Sequence, residues 1–98
     1  MILLHLLSSI KFDIMKQFDI EKVYEAYIHL DKAQRKELIA RLNAEGIPVS
    51  KIEAYTYKDA PGIKHLFFYL EGHKEAVPYF MMDKEVLNVV QEQILKLC

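Results

Sequence analysis

Residues 52–82 constrain the fold more than any other stretch of this chain. They divide into three short runs, broken by Asp59, Ala60, Pro61 and Gly62 and again by the segment from Glu71 to Glu75 around Gly72. In the first run Ile52, Ala54 and Thr56 alternate with Glu53, Tyr55 and Tyr57. In the second, Leu66, Phe68 and Leu70 alternate with His65, Phe67, Tyr69 and Glu71. In the third, Val77, Tyr79 and Met81 alternate with Ala76, Pro78, Phe80 and Met82. Strand side chains two apart share a face, so the alternation predicts a sheet with two unlike apolar faces. Ile52, Leu66, Phe68, Leu70 and Phe80 form the layer expected under the helices. Tyr55, Tyr57, Phe67, Tyr69 and Tyr79, with His65 and Glu71 at the edge, fall on the other side. Pro78 has no N–H for a ladder and belongs on an edge strand or a bulge, which places the second strand in the centre.

Helical signals flank this sheet. Asp19 is positioned to cap a helix in which Phe18 and Val23 stand as a hydrophobic staple and Val23, Tyr27 and Leu30 share a stripe, with Ile20 and Tyr24 beside it. A second helix restarts after Leu30, with Asp31 as cap and Gln34 three residues on. Its buried stripe is Leu38, Ile39 and Leu42, and Lys32, Arg35 and Lys36 form its outer face. Gly46 followed by Pro48 reads as its stop. Asp83 is the expected cap of a last helix whose apolar stripe is Leu87, Val90, Ile94 and Leu97, widened by Val86. The predicted fold is a single α+β domain over 1–98 in the order α-α-β-β-β-α, with helices on one face of a three-stranded antiparallel meander.

The first fourteen residues are apolar, and two readings of them compete. Ser9 to Ile14 alternates with period two, so the segment can add a strand or a short helix to the domain. Alternatively Met15 is the natural start and 1–14 is an upstream extension. A run of this length is too short to span a bilayer, which takes about 20 apolar residues, and it has neither the basic leader nor the cleavage site of a secretory signal.

Composition sets limits on function. Apolar residues make up 52% of the chain and charged residues 28%, which is the balance of a folded domain. Thirteen basic residues face fourteen acidic ones, for a net charge of −1, so no global field attracts nucleic acid or an anionic membrane. Only Arg35 and Arg41 among the basic residues are arginine, the residue suited to bidentate phosphate and base recognition. The single cysteine, Cys98, has no partner for an internal disulfide, which fits a reducing compartment and predicts a cytoplasmic protein.

No catalytic or cofactor signature emerges. Ser8, Ser9, Ser50, Thr56 and Cys98 have no base and orienting acid brought near them by the predicted elements. Glu21 with Glu25, and Glu71 with Glu75, lie on a helix face and in a turn, where solvation keeps carboxylates ordinary. Three glycines do not make a phosphate-cradling loop. His65 and His73 fall at opposite ends of one strand, His29 ends a helix and His5 lies in an apolar run, so no metal site is expected. The expectation is therefore a non-enzyme without cofactor or metal.

Two functional readings remain. The aromatic face of Tyr55, Tyr57, His65, Phe67, Tyr69 and Tyr79 is either core, covered by another part of the chain, or an interface, since such side chains are enriched at binding hot spots. The favoured reading is a small cytoplasmic protein-binding module, an inhibitor, adaptor or regulator of another protein, that also self-associates as a homo-oligomer and does not enter membranes. Aromatic sheets also stack RNA bases, but no glycine-and-basic signature surrounds these rings. The alternative is a DNA-binding transcription regulator. By fold-level analogy, the order of elements fits a winged helix-turn-helix, with Arg35, Lys36 and Arg41 on the second helix and Lys58 and Lys64 at the wing. Against it, the turn at Leu30 and Asp31 is shorter than that motif uses.

Overall fold

The computed structural model describes residues 17–98, and the readings made for residues 1–14 fall outside them. The architecture is α+β in the predicted order: helix α1 (Ile20–Ile28), helix α2 (Lys32–Ala44), strand β1 (Val49–Thr56), strand β2 (Lys64–Leu70), strand β3 (Val77–Pro78), a 3-10 turn (Tyr79–Met81) and helix α3 (Lys84–Leu97). The strands form an antiparallel sheet in the order β1-β2-β3, so the second strand is central and Pro78 is on an edge.

The caps of the first two helices follow from their local chemistry. Asp19 accepts the Lys22 N–H at 3.2 Å. Asp31 and Gln34 form a reciprocal capping box, at 2.8 Å to the Gln34 N–H and 2.9 Å from the Asp31 N–H to the Gln34 side chain. The end of α2 is a Schellman motif. Gly46 takes φ 86°, the Ile47 N–H reaches the Leu42 carbonyl at 2.9 Å, and the Gly46 N–H reaches that of Asn43 at 3.0 Å. Asp83 departs from the prediction. Its carbonyl accepts the Leu87 N–H, but its side chain caps no N–H.

Helix α1 lies on β1 and β2, α2 lies on β1, and α3 packs against both helices. One apolar cluster results, with Val23, Leu38, Leu42, Leu66, Phe68, Val90 and Ile94 fully buried. Among the described residues, no buried polar or charged residue interrupts it. Burial of this kind contributes roughly 25 cal/mol per Å² of apolar surface. The predicted stripes of α1 and α3 and the predicted inner layer of β1 and β2 are thus where they were expected. No described helix is long and apolar enough to cross a membrane.

Three details of the sheet differ from simple alternation. Strand β1 begins earlier than Ile52, and its register shifts between Val49 and Lys51, a bulge that lets Val49 and Ile52, three apart, both face the core. Strand β3 is two residues long because the chain turns into a 3-10 conformation at Tyr79, where the Met82 N–H bonds the Tyr79 carbonyl. That turn changes the side-chain period from two to three. Phe80, expected under the helices, is instead 62% exposed.

Tyr27 ties α1 to the sheet. Its ring is buried, its hydroxyl donates to the Ile52 carbonyl at 2.7 Å, and the Arg35 guanidinium sits 4.5 Å from the ring centroid. Burial raises the Tyr27 pKa above the usual 10.0, with Arg35 partly opposing the shift. A raised folded-state pKa means that the stabilisation is present below the ordinary tyrosine range and is lost as pH rises through the higher folded value. Tyr27→Phe is expected to cost about 1 kcal/mol at neutral pH and to flatten the loss of stability above pH 10. Urea unfolding of both proteins across that range checks it; parallel curves would rule out Tyr27 as the titrating group.

Candidate functional site

The side of the sheet facing away from the helices carries a connected set of rings. Cross-strand register places Tyr55 opposite His65 and Pro78 opposite Phe67. Tyr55 meets Tyr57 edge-on at 5.3 Å and Phe67 at 6.2 Å. His65 is the hub. Its ring lies 5.4 Å from Tyr57, 5.9 Å from Phe67, 6.2 Å from Tyr79 and 6.0 Å from Phe80. Tyr79 and Phe80 meet edge-on at 5.5 Å, and Phe18 joins at 5.7 Å from Tyr79. Pairs in such tilted and T-shaped geometry contribute about 0.5–1.5 kcal/mol each beyond burial, so the surface is built to hold its shape.

It is also open. Tyr55 and Tyr57 are nearly half exposed, and Phe80 more so. The Nδ1 atom of His65 is enclosed by the rings and has no hydrogen-bond partner among the described residues. A buried polar atom without a partner is uncommon in a settled core.

Five of the six residues predicted for this face meet in the ring network: Tyr55, Tyr57, His65, Phe67 and Tyr79. Tyr79 reaches it from the 3-10 turn and not from a strand, and it also packs against the core. Tyr69 shares the face but belongs to a polar corner. Its hydroxyl donates to Glu53 at 3.2 Å, Lys51 lies 5.2 Å from its ring, and Lys51 pairs with Glu53 at 3.8 Å. Glu71, foreseen at the edge, is exposed and donates its backbone N–H to the Pro48 carbonyl. Phe80 and Phe18 were not foreseen as members. The signal for Phe80 is Pro78 placed just ahead of a helix cap, which leaves too few residues to continue a strand.

The basic residues of the alternative reading have internal partners. Arg35 donates to the carbonyls of Leu30, Tyr27 and Ile28 at 3.1, 3.3 and 3.4 Å. Arg41 pairs with Glu37 one turn earlier, at 3.6 Å. Lys64 turns toward α1, bonding Glu21 at 2.6 Å with Glu25 at 3.6 Å, and its pKa is raised, first by the hydrogen bond to Glu21. Lys36 is exposed on α2. These four side chains do not converge on one surface.

Groups considered for chemistry are likewise dispersed. The Ser50 hydroxyl donates to the Tyr69 carbonyl at 3.2 Å, and the Cys98 thiol lies against the Ile94 and Ala26 carbonyls. Among the described residues no group of three or more His, Cys, Asp or Glu side chains is arranged to hold a metal ion. Comparison with family models, with curated proteins and with solved structures gives no match to this chain.

Proposed function

We propose that the chain is a small cytoplasmic protein-binding module, without enzymatic activity, that acts as an inhibitor, adaptor or regulator by seating a partner on its aromatic face. The observation that carries this reading is the ring network centred on His65, interlocked from Tyr55 to Phe80, with Tyr55, Tyr57 and Phe80 exposed. Pre-arranged aromatic side chains give contact area with little further loss of rotamer freedom, which is why they concentrate the binding energy of interfaces. The lone cysteine supports a reducing compartment. Nucleic-acid binding is the second reading, and the internal partners of Arg35, Arg41 and Lys64 count against it.

The test is a photo-crosslinking amino acid placed at Tyr55 in the cells the protein comes from, with Lys36 as the control position. A discrete protein adduct at Tyr55 and none at Lys36 is the expected result. Adducts to nucleic acid, or adducts at Lys36 alone, overturn the reading.

A further inference from the structure

We infer that the occupant of the aromatic face is a second copy of the same face, making the protein a twofold homodimer; this rests on the face being an interface, as proposed above. The argument starts from area. Tyr55, Tyr57 and Phe80 are 46%, 44% and 62% exposed. With about 200 Å² for a large side chain, they leave on the order of 300 Å² of apolar surface, within the range of the largest patch of an ordinary monomer. The half-buried rings of His65, Phe67 and Tyr79 extend it. Two such faces in contact bury roughly 800 Å², the size of a weak, reversible interface.

Charge makes the face compatible with itself. A twofold interface brings each patch against its own copy, so a patch of one sign repels itself. Here Lys51 and Glu53 are paired at one end and cancel, and the ring network beyond them carries no carboxylate or ammonium. The whole chain is near neutral at −1, so two copies approach without a long-range barrier. A neutral face gives no electrostatic reason to prefer a strongly acidic or basic partner. Sheet faces pack about 10 Å apart with interdigitated side chains, and the exposed rings of Tyr57 and Phe80 are available for such packing.

Sedimentation equilibrium on the full 98-residue chain tests this across about 1–500 µM, the window suited to a weak, reversible interface. The expected result is a mass approaching twice the monomer's. The double variant Tyr57→Ser/Phe80→Ser is expected to weaken association by at least about thirtyfold, from two truncated ring contacts of roughly 1 kcal/mol or more each. Both side chains are exposed, so the variant keeps its fold, which its unfolding curve verifies. Ile28→Ser, which removes an exposed apolar side chain of α1, is expected to leave the dimer intact. A chain that stays monomeric overturns self-pairing while leaving an interface for a different protein standing, because the crosslink at Tyr55 reads that separately. A dimer indifferent to the double variant overturns self-pairing through this face.

Discussion

Phe68→Ala is expected to remove a large share of the stability of the domain, while Phe67→Ala, one residue away, is expected to cost much less. Phe68 is fully buried in the central strand and pairs with Ile52 on one side and Val77 on the other. Truncating such a ring costs about 3–5 kcal/mol, the lost transfer energy plus the cavity left behind. A domain of this size has about 5–15 kcal/mol to lose. At 4–8 °C per kcal/mol for domains of this length, the thermal midpoint should fall by roughly 12–40 °C. Phe67 points the other way, into the open network beside Tyr55 and His65. Its two ring contacts and partial burial should make truncation cost about 1–2 kcal/mol, well below the loss at Phe68. Thermal and urea unfolding of the two variants decide whether the sheet is one-sided. Equal losses would mean that the aromatic side is core as well.

Much of this arrangement is legible in the sequence, because the residues that determine it act locally. Asp19 caps α1, the Asp31 and Gln34 pair starts α2, and Gly46 ends it; these bonds span a few residues and need no tertiary context. The alternation along β2 likewise fixes Leu66 and Phe68 inward and His65 and Phe67 outward. What is not legible depends on distant partners. Alternation across 76–82 gives no sign that pairing stops after Pro78, so Phe80 is assigned to the wrong side and β3 is drawn too long. The bulge near Val49 and Lys51 conceals the true start of β1, since period two fails there. Asp83 has the right residue type and position for a cap, but in the fold its carboxylate caps no N–H. The site was visible as a face and not as a network: His65 becomes its hub because the 3-10 turn brings Tyr79 and Phe80 over the second strand.

Arg35 is the clearest case of a residue whose role lies outside its own helix, and its substitution carries the second large expected effect. Read along α2, Arg35 is one of several basic residues on an outer face, and it belongs to the nucleic-acid reading. In the fold, the tight turn at Leu30 and Asp31 lays the start of α2 beside the end of α1. The guanidinium then covers the carbonyls of Tyr27, Ile28 and Leu30 and the face of the Tyr27 ring. Those carbonyls lie at and just beyond the C-terminus of α1, where the helix dipole favours a cation; that of Tyr27 also accepts the Leu30 N–H at 3.1 Å. Charged hydrogen bonds of this kind contribute about 1.5–3 kcal/mol, and the cation over the ring adds roughly 0.5–1 kcal/mol. Arg35→Ala should therefore cost about 2–3 kcal/mol in urea unfolding, by the same bonds. Arg35→Lys should recover only part of this, because an ammonium cannot reproduce the fork. Arg41→Ala should cost less than about 0.5 kcal/mol, as its bond to Glu37 is an exposed pair one turn apart. If Arg35 instead contacts nucleic acid, Arg35→Ala and Arg41→Ala should weaken binding at low salt to similar degrees, with unfolding midpoints unchanged. An unchanged midpoint for Arg35→Ala would defeat the structural assignment. Conversely, a midpoint that drops as expected means that any activity lost in an Arg35 variant reflects a loosened α1–α2 junction, so Lys36 and Arg41, which hold no element in place, are the positions at which nucleic-acid binding has to be tested.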